Sequence, residues 1–280
     1  MREVFTHIEF RNKEDLETFV DSITDNNEVT FNALIEQPDT IARTFSPSYE
    51  YETGFYLFRD ERNNDQVRQE IKELEEKSPF KLKIDTSDFG LNKIRRKCRK
   101  LKSTQREVIQ AYTQDIQNLN YSCIEEYGKA ILNNLLQYAV IDWHSWGNKY
   151  WGTPLDILKF LSNEDELRIC MVTEDFSPSE VIKKITKDYG LIVYVMYADG
   201  EVNNLATEYI ADKGKVRDIV HYNPGTREFV NVVLQNFNKK QDVMKVKDNR
   251  IVIGEGRRIK LKETETHKKY EQDIRILPDS

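Results

Sequence analysis

The sequence is poor in cysteine and has no long apolar run, and both absences narrow the class of protein that it can encode. Three cysteines are spread over 280 residues with no CxxC pair, which argues against a disulfide framework and gives no zinc-binding spacing. No apolar stretch approaches the roughly 18–20 residues that a membrane-spanning helix needs. The residues therefore predict a soluble, cytoplasmic protein that is stabilised by an ordinary hydrophobic core.

An excess of positive charge is also lacking. The formal net charge is -6, with 42 lysine and arginine residues against 48 aspartate and glutamate residues. A chain with this balance does not coat nucleic acid non-specifically, so any contact with phosphates has to come from a local cluster of cations. One such cluster exists, KIRRKCRKLKSTQR, at residues 93–106.

On a helix, the cations of this run form one exposed face opposite an apolar face. Those cations are Arg95, Arg96, Arg99 and Lys102. Their spacing suits contacts with the phosphates of RNA or DNA, or with an acidic protein surface. The alternative is a solvated helix that pairs with the acidic helix DQVRQEIKELEEK, at residues 65–77, and binds no partner.

Motifs of established catalytic chemistry are missing as well. The sequence contains no GxSxG or HExxH motif, and GEG before Arg257 and Arg258 lacks the GK[ST] ending of a phosphate-binding loop. The histidines show no metal-ligand spacing. The sequence thus predicts no cofactor, no metal site and no catalytic residue.

The stretch DWHSWGNKYWGTPLD, which begins at residue 142, holds all three tryptophans of the chain. Trp146 and Trp151 are expected to fill the space between a sheet and its helices, because buried tryptophans dominate core contacts. Gly152 lets the backbone pass close to an indole ring. Trp143 is expected to be the most exposed of the three, which makes it a candidate for stacking on a base or a peptide.

Apolar periodicity predicts strands and helices in a definite order. At the N-terminus a strand, VFTHIEF, precedes a helix, NKEDLETFVDSI, that Asn12 can cap, and a second extended segment, EVTFNALIEQP, follows. After the tryptophans come a strand, LRICMVTED, a helix opened by Ser177 and Pro178, and two strands joined at Asp199-Gly200. Together these elements predict an α+β fold, a ferredoxin-like antiparallel sheet with helices on one face.

Helical patterns dominate the middle of the chain. They include NNDQVRQEIKELEEK, a long helix that begins after Gly90, and CIEEYGKAILNNLLQYAVI, with a short strand, FKLKID, after the first of them. The predicted organisation is a ferredoxin-like core at residues 1–45 and 141–212, a mainly helical insertion at residues 46–140, and a C-terminal α/β extension at residues 213–280 that is rich in β-strand.

Four stretches share the pattern of one protein family. They are the N-terminal strand and helix with VTFNALIEQP, the W-x4-WGT loop that ends at Thr153, the TEDFSP turn, and YADGEV. On these motifs the chain resembles the small phage- and plasmid-borne family with an Api-type ferredoxin-like domain, over residues 1–40 and 143–210. The resemblance implies the fold and a mobile-element origin. It implies no reaction, because it supplies no catalytic set to transfer.

The leading functional hypothesis joins this resemblance with the absence of catalytic motifs. It is a non-enzymatic phage or mobile-element protein, in the cytoplasm of the host cell, that binds and inhibits a host protein or protein complex. A component of a bacterial defence system is one such target.

Two alternatives stay open. One is a nucleic-acid-binding protein that uses the basic helix 93–106, with Tyr194 and Tyr197 as stacking groups, although residues three apart face opposite sides of a regular strand. The other is an enzyme built on Asp142 and His144, since residues two apart on a strand share a face and can form an acid–base pair.

Overall fold

The structure is a computed structural model that describes residues 2–46, 48–102, 114–199, 206–223, 226, 229, 244–247, 250–253 and 257–260, without the side chains of residues 101, 102, 199 and 244–260. The chain divides into two compact units. The first, here called the sheet unit, consists of Met1–Ile35 and Tyr150–Ser280, and the second, the helical unit, of Glu36–Lys149. The domain limits predicted from the sequence concern parts that fold on their own, and they stay predictions.

The two units are built from short strands and mostly short helices. In chain order these are β1 (Glu3–Glu9), α1 (Lys13–Ser22), β2 (Thr24–Asp25), β3 (Glu28–Val29), α2 (Asp39–Ala42), α3 (Thr53–Leu57), α4 (Asn64–Glu76), α5 (Asp88–Lys102), α6 (Ile124–Tyr138), α7 (Trp143–Tyr150), β4 (Lys159–Asn163), β5 (Arg168–Glu174), α8 (Ser179–Asp188), β6 (Ile192–Asp199), β7 (Ala206–Asp212), β8 (Lys215–Tyr222), β9 (Met244–Lys247), β10 (Arg250–Ile253) and β11 (Arg257–Lys260). Residues 114–118 are also helical. Within the part of the chain that the structure describes, no helix combines the length and apolar character needed to cross a membrane.

The main sheet of the sheet unit has six antiparallel strands in the order β4-β5-β1-β6-β7-β8. Ile8 at the centre of β1 lies opposite Ile169 of β5 on one side and Val195 of β6 on the other. In chain order, four of these strands and two helices are β1, α1, β4, β5, α8 and β6, and β2, β3 and α2 to α7 come between α1 and β4. In the sheet, β1 lies between β5 and β6. The predicted α+β class with an antiparallel sheet is confirmed.

One face of this sheet carries the core. Along β1, the side chains of Val4, Thr6 and Ile8 are buried and the intervening ones are only partly covered, as alternation along a strand requires. Ile8 belongs to one apolar cluster with Phe19 of α1 and Ile182 of α8. Helices α1 and α8 therefore share a core with the same face of the sheet.

The predicted start of α1 is confirmed, whereas the predicted start of α8 is wrong. Asn12 Oδ1 accepts a hydrogen bond from the Asp15 amide at 2.8 Å, so Asn12 is the side-chain cap of α1. At α8, Pro178 occupies the capping position and forms no side-chain cap. Ser177 Oγ instead accepts a hydrogen bond from Thr6 Oγ1 at 3.1 Å. The first turn of α8 is therefore left without a side-chain cap.

The predicted second extended segment, residues 28–38, is wrong beyond its first residues. Among the described strands, β3 pairs with β2 alone, and a 3₁₀ turn follows at Phe31–Ala33. Asp156 holds this turn, because its carboxylate accepts the Phe31 amide at 2.8 Å and the Thr30 hydroxyl. The edge position in the sheet is taken by β4, which pairs with β5 and which the sequence did not indicate.

The C-terminal residues divide between two sheets. β8 pairs with β7, with Ala206 opposite Tyr222 at one end and Asp212 opposite Lys215 at the other. The beginning of the predicted extension is therefore part of the main sheet. β9, β10 and β11 form a separate three-stranded sheet, which agrees with the predicted β-rich end. The predicted helix TREFVNVVLQNF lies outside the described residues except for Thr226 and Phe229. The loop that joins β6 to β7, with Gly200, lies outside them as well.

The helical unit packs α3 to α6 around a shared apolar cluster. Its fully or almost fully buried members are Leu57, Val67, Ile71, Leu91, Ile94, Leu132 and Leu136. These residues recur at helical spacing, which is why the sequence indicated α4, α5 and α6. Residues 103–113, through which the predicted long helix continues, lie outside the described residues.

The predicted strand FKLKID is wrong. Residues 80–85 form neither helix nor strand, and Lys81 has a positive φ of 50° that interrupts an extended run. The Ile84 amide donates a hydrogen bond to Glu75 Oε1 of α4 at 2.6 Å. A side-chain acceptor thus satisfies a backbone group that would otherwise need a neighbouring strand.

Candidate functional site

The four residues of the predicted cationic face stand on α5, and two of those whose side chains are described are exposed. Arg96 and Arg99 lie on the solvent side of the helix, while Ile94 and Cys98 are buried on the opposite side. The side chain of Lys102, and residues 103–106, lie outside the described residues.

Arg95 differs from these two because it is used inside the helical unit. Its guanidinium carbon lies 4.2 Å from the centre of the Phe58 ring, at cation–π distance. Its Nη2 also donates a hydrogen bond to Asn64 Oδ1 at 2.9 Å. The predicted cationic face of Arg95, Arg96, Arg99 and Lys102 is therefore reduced, among the described side chains, to Arg96 and Arg99.

Two lysines of the same run also have partners within the helical unit. Lys93 Nζ lies 2.5 Å from Glu50 Oε1, and this hydrogen bond and charge raise the pKa of Lys93. Lys97 Nζ lies 4.5 Å from the centre of the Tyr51 ring. Glu50 is only 6% exposed, so the Lys93 ammonium satisfies a carboxylate that folding has largely removed from water.

The alternative prediction, pairing of the basic run with acidic α4, does not describe these contacts. Among the described residues, the ion pair between the two helices has the opposite sense, since Arg68 of α4 pairs with Asp88 at the start of α5. Asp88 lies in the first turn of α5, where the helix dipole favours negative charge.

Trp143 forms part of an aromatic surface on the helical unit. Its ring stacks on Phe45, with centroids 5.6 Å apart and an interplanar angle of 24°. Phe45 is 56% exposed and Trp143 is half-buried. Tyr127 fixes the backbone of Phe45, because its hydroxyl accepts the Phe45 amide at 2.8 Å and donates to the Phe45 carbonyl at 2.7 Å. Burial raises the pKa of Tyr127 to about 12, so it keeps the proton that it donates.

The other two tryptophans are buried, 5% exposed for Trp146 and 3% for Trp151, so Trp143 is the most exposed as predicted. Trp151 packs 5.9 Å from Phe31 in the core of the sheet unit, where its Nε1 donates to the Ile35 carbonyl at 3.0 Å. Trp146 belongs to the helical unit and lies edge-on to the Tyr138 ring. The prediction of a core between sheet and helices therefore holds for Trp151 and not for Trp146.

Asp142 and His144 do not form the acid–base pair that a strand would permit, because they stand at the start of helix α7. Asp142 is 5% exposed, and its Oδ1 accepts the Ser145 amide at 2.8 Å. Its Oδ2 accepts the Ser46 amide at 3.2 Å. His144 is exposed and turns to Asn148, with Nδ1 3.3 Å from the side-chain nitrogen. Asp142 thus acts as a cap, and both of its oxygens are used by backbone amides.

Replacing Asp142 with alanine should therefore lower the free energy of unfolding by about 1–2 kcal/mol, the range for a lost helix cap. His144→Ala, one turn away on the exposed side, should change it by less than about 0.5 kcal/mol. Urea unfolding followed by circular dichroism measures both. Equal losses for the two variants would contradict the capping role and restore a coupled pair.

A cavity of about 440 Å³ opens in the sheet unit at the first turn of α8. Its polar wall includes Arg2, Ser177, Ser179, Lys183 and Tyr209. Apolar side chains of the segments around it complete the lining. The cavity thus combines cationic, hydroxyl and apolar groups, which is the mixture found in binding sites for small molecules.

Arg2 is oriented by the turn that precedes α8. Its Nη2 donates to the Asp175 carbonyl at 2.6 Å, and its Nε lies 3.9 Å from Asp175 Oδ1. The guanidinium carbon also lies 5.8 Å from the centre of the Phe176 ring. Lys183 pairs with Glu180 one turn along α8, at 2.7 Å. These contacts fix the positions of both cations at the cavity.

Sequence reasoning missed this cavity because its lining comes from residues that are distant along the chain. Arg2, Gly152, Ser177, Tyr209 and His221 each belong to a different segment. Two of the stretches that line it, WGT and TEDFSP, were identified from the sequence, but only as family motifs. Their Gly152 and their uncapped Ser-Pro helix start were the local signals of an open space beside α8.

Metal-binding and nucleophilic side chains are not gathered into a site in the described part of the chain. No group of three or more histidine, cysteine and carboxylate side chains there has the arrangement to hold a metal ion. None of the three cysteines, Cys98, Cys123 and Cys170, all of which the structure describes, forms a disulfide. Burial raises the pKa of Cys170 to about 11, which keeps the thiol protonated and poorly nucleophilic at neutral pH.

Comparison with known proteins gives one structural likeness and no family. No protein-family model matches the chain, and no curated protein matches it. Among solved structures, the chain is similar to a protein api92 from Yersinia pseudotuberculosis, whose family model is DUF1281. The similarity has a TM-score of 0.37 at 13% sequence identity and covers 80% of this chain and 99% of the other. A phage or plasmid origin stays a prediction.

Proposed function

We propose that this is a non-enzymatic binding protein of a phage or other mobile element. It acts in the host cytoplasm by occupying a host protein or protein complex, such as a component of a bacterial defence system, and thereby inhibits it. The helical unit supplies the binding surface through Arg96 and Arg99, which are on α5, and through the stacked rings of Phe45 and Trp143.

The observation that carries this proposal is the contrast along α5. Arg95 is engaged with Phe58 and Asn64, whereas Arg96 and Arg99 are exposed and join no ion pair with another described residue. Arginine is enriched in protein interfaces because its planar guanidinium binds carboxylates in pairs of parallel hydrogen bonds. Two such groups one turn apart match an acidic protein surface.

The aromatic surface supports the same conclusion. Phe45 is 56% exposed although a ring of this size would ordinarily be covered, and Trp143 lies flat against it. Exposed rigid aromatic side chains are the residues that most often anchor a protein interface. Because Tyr127 already holds the Phe45 backbone from both sides, little conformational freedom is lost when a partner binds.

The nucleic-acid alternative is less well supported. Of the described cations near the start of the basic run, Lys93 pairs with Glu50 and Lys97 lies over Tyr51, so they are not presented to phosphates. The two stacking groups proposed for it are both partly buried: Tyr194 donates its hydroxyl hydrogen bond to Glu208, and Tyr197 packs against the core of the sheet unit. The exposed cations in the described part of the run are Arg96, Arg99, Lys100 and the paired Lys93, and so small a set would neutralise few phosphates and give weak binding.

Reversing the charge of the exposed pair should weaken partner binding. The double variant Arg96→Glu, Arg99→Glu is expected to retain the partner on the order of tenfold less well, because like charges then face each other across the interface. The matched control, Lys72→Glu with Lys81→Glu, makes the same charge change at exposed lysines of the same unit. This control variant should bind the same amount of partner as the wild type. The quantity measured is the amount of partner bound per mole of immobilised protein.

The nucleic-acid alternative makes a different prediction for the same proteins. If α5 gripped phosphates, the wild type would bind duplex DNA, single-stranded DNA or RNA at low salt with a steep salt dependence. Arg96→Glu with Arg99→Glu would then flatten that dependence. Fluorescence anisotropy over a salt series measures this, and such a result would replace the protein partner with a nucleic acid.

A further inference from the structure

We propose that the cavity of the sheet unit binds a small organic anion. Its phosphate or carboxylate group lies at the first turn of α8, and its apolar body lies against Phe176 and Ile219. This site uses no residue of the helical unit, so it stands or falls independently of the function proposed above.

The first turn of α8 offers backbone donors to such a group. Pro178 at the capping position supplies no side-chain acceptor, and no side-chain cap is made there among the described residues. The Ser179 amide already donates to the Ser177 carbonyl at 2.7 Å, so the Glu180 amide is the first-turn donor beside Gly152 that a ligand would use. Gly152 keeps the space beside them open, with φ of +87°. A Cβ at this position would lie 2.8 Å from the Ser179 amide nitrogen and 3.1 Å from that of Glu180. Amides at a helix start favour an anion through both hydrogen bonding and the helix dipole.

Tyr209 is an independent reason to place a polar ligand in this cavity. The residue is 4% exposed, and its hydroxyl has no hydrogen-bond partner among the described residues. Burial raises the pKa of the phenol, and Tyr197 adds to the rise. The neighbouring Ser177 hydroxyl acts to lower this pKa, but it does not lie in hydrogen-bond geometry with the Tyr209 hydroxyl. A buried hydroxyl that keeps its proton and has no acceptor is costly, and an oxyanion in the cavity would supply that acceptor.

The charges of the lining favour an anion over a neutral ligand. Arg2 and Lys183 lie at the cavity together with His221, whose Nδ1 is 3.0 Å from Thr207 Oγ1. Asp175 is the carboxylate among the lining residues, and its backbone carbonyl and side chain both face Arg2. Glu180, which is not a lining residue, pairs with Lys183 at 2.7 Å. Arg2 keeps its Nη1 for a ligand, since the contacts to Asp175 involve Nη2 and Nε. Charge-assisted hydrogen bonds from such donors are about twice as strong as neutral ones.

The apolar part of the lining favours a ligand that is larger than an inorganic ion and has an apolar portion. Phe176 and Ile219 are each 52% exposed at the cavity, and Val4 and Val216 lie further along its wall. A volume of about 440 Å³ is within the range of small-molecule sites and far larger than one phosphate ion. An anion with a ring or short apolar chain would cover these side chains and place its charge at α8.

Calorimetric titration of the full chain tests the proposal with four probes. Phenyl phosphate and benzoate carry the two candidate anionic groups on a ring, inorganic phosphate lacks the ring, and benzyl alcohol lacks the charge. We expect saturable binding of phenyl phosphate or benzoate, weaker binding of inorganic phosphate, and none of benzyl alcohol. The stronger of the two ring anions identifies the anionic group.

Two tyrosine variants provide the matched comparison. Tyr209→Phe removes only the buried hydroxyl and should weaken binding of the ring anion about tenfold, because a hydrogen bond to a charged group is lost. It should not lower the unfolding midpoint, since that hydroxyl has no partner in the folded protein. Tyr194→Phe should do the reverse, because its hydroxyl bonds Glu208 and its side chain points to the other face of the sheet. Arg2→Gln should weaken binding as Tyr209→Phe does.

Several results would overturn the proposal. Any one of three results is enough. The first is the absence of saturable binding for both ring anions, and the second is an affinity for benzyl alcohol equal to that for the ring anions. The third is an unchanged affinity for the ring anion in both Tyr209→Phe and Arg2→Gln. Because Tyr209→Phe is expected to fold at least as stably as the wild type, a loss of affinity in that variant reports on the ligand and not on unfolding.

Discussion

Trp151→Ala is expected to lower the free energy of unfolding of the sheet unit by about 3–5 kcal/mol, the range for truncating a large core side chain. Trp151 is 3% exposed and packs against Phe31, so alanine leaves a cavity that the sheet and helices cannot fill. The change also leaves the Ile35 carbonyl without the Nε1 donor that now lies at 3.0 Å. Urea unfolding followed by circular dichroism measures the loss.

Trp143→Ala is the matched control, because it removes the same side chain from a half-exposed position. Its cost should be roughly 1 kcal/mol, since part of the ring is already in water and Phe45 loses only a stacking contact. Similar losses for the two variants would show that Trp151 is not a core residue, and the tryptophan stretch would then be open to a ligand-binding role.

Gly152→Ala is expected to have the second largest effect. Its φ of +87° is unfavourable for any residue with a Cβ, at about 1–3 kcal/mol. The new methyl group would also press on the backbone of α8, 2.8 Å from the Ser179 nitrogen, and overpacking of this kind costs a further 1–3 kcal/mol or so. Chemical denaturation of the variant measures the sum.

Gly190→Ala separates the two causes. Gly190 has a similar φ of +70°, but an added Cβ there would meet nothing within 4 Å. This variant should therefore show only the backbone part of the cost. If both variants lose the same stability, the close approach of Gly152 to α8 is not a constraint, and the open space at the first turn has another origin.

The parts of the fold that the sequence predicted correctly are those with a strong local signal. α1 has an asparagine cap and apolar residues on one face, and β1 alternates buried and partly exposed side chains. The prediction of an extended segment at residues 28–38 was wrong because Asp156, which is remote along the chain, accepts the Phe31 amide and holds a turn there. β4 was missed because it is a mostly exposed edge strand with little apolar alternation.

The candidate sites show the same division between local and distant information. Helical spacing placed Arg96 and Arg99 on an exposed face, but it could not show that Phe58 and Asn64 engage Arg95. A strand-like reading joined Asp142 to His144, and a helix start separates their roles instead. The cavity beside α8 depends on the order of the strands in the sheet, which no local pattern encodes.

Capture of a partner from a bacterial host lysate, before and after exhaustive nuclease digestion, tests the proposed function most directly. The tagged full chain should retain the same protein in the same amount under both conditions, and the double variant Arg96→Glu, Arg99→Glu should retain on the order of tenfold less of it. Retention of material that disappears after nuclease, or equal capture by wild type and double variant, would contradict a protein partner bound through the helical unit.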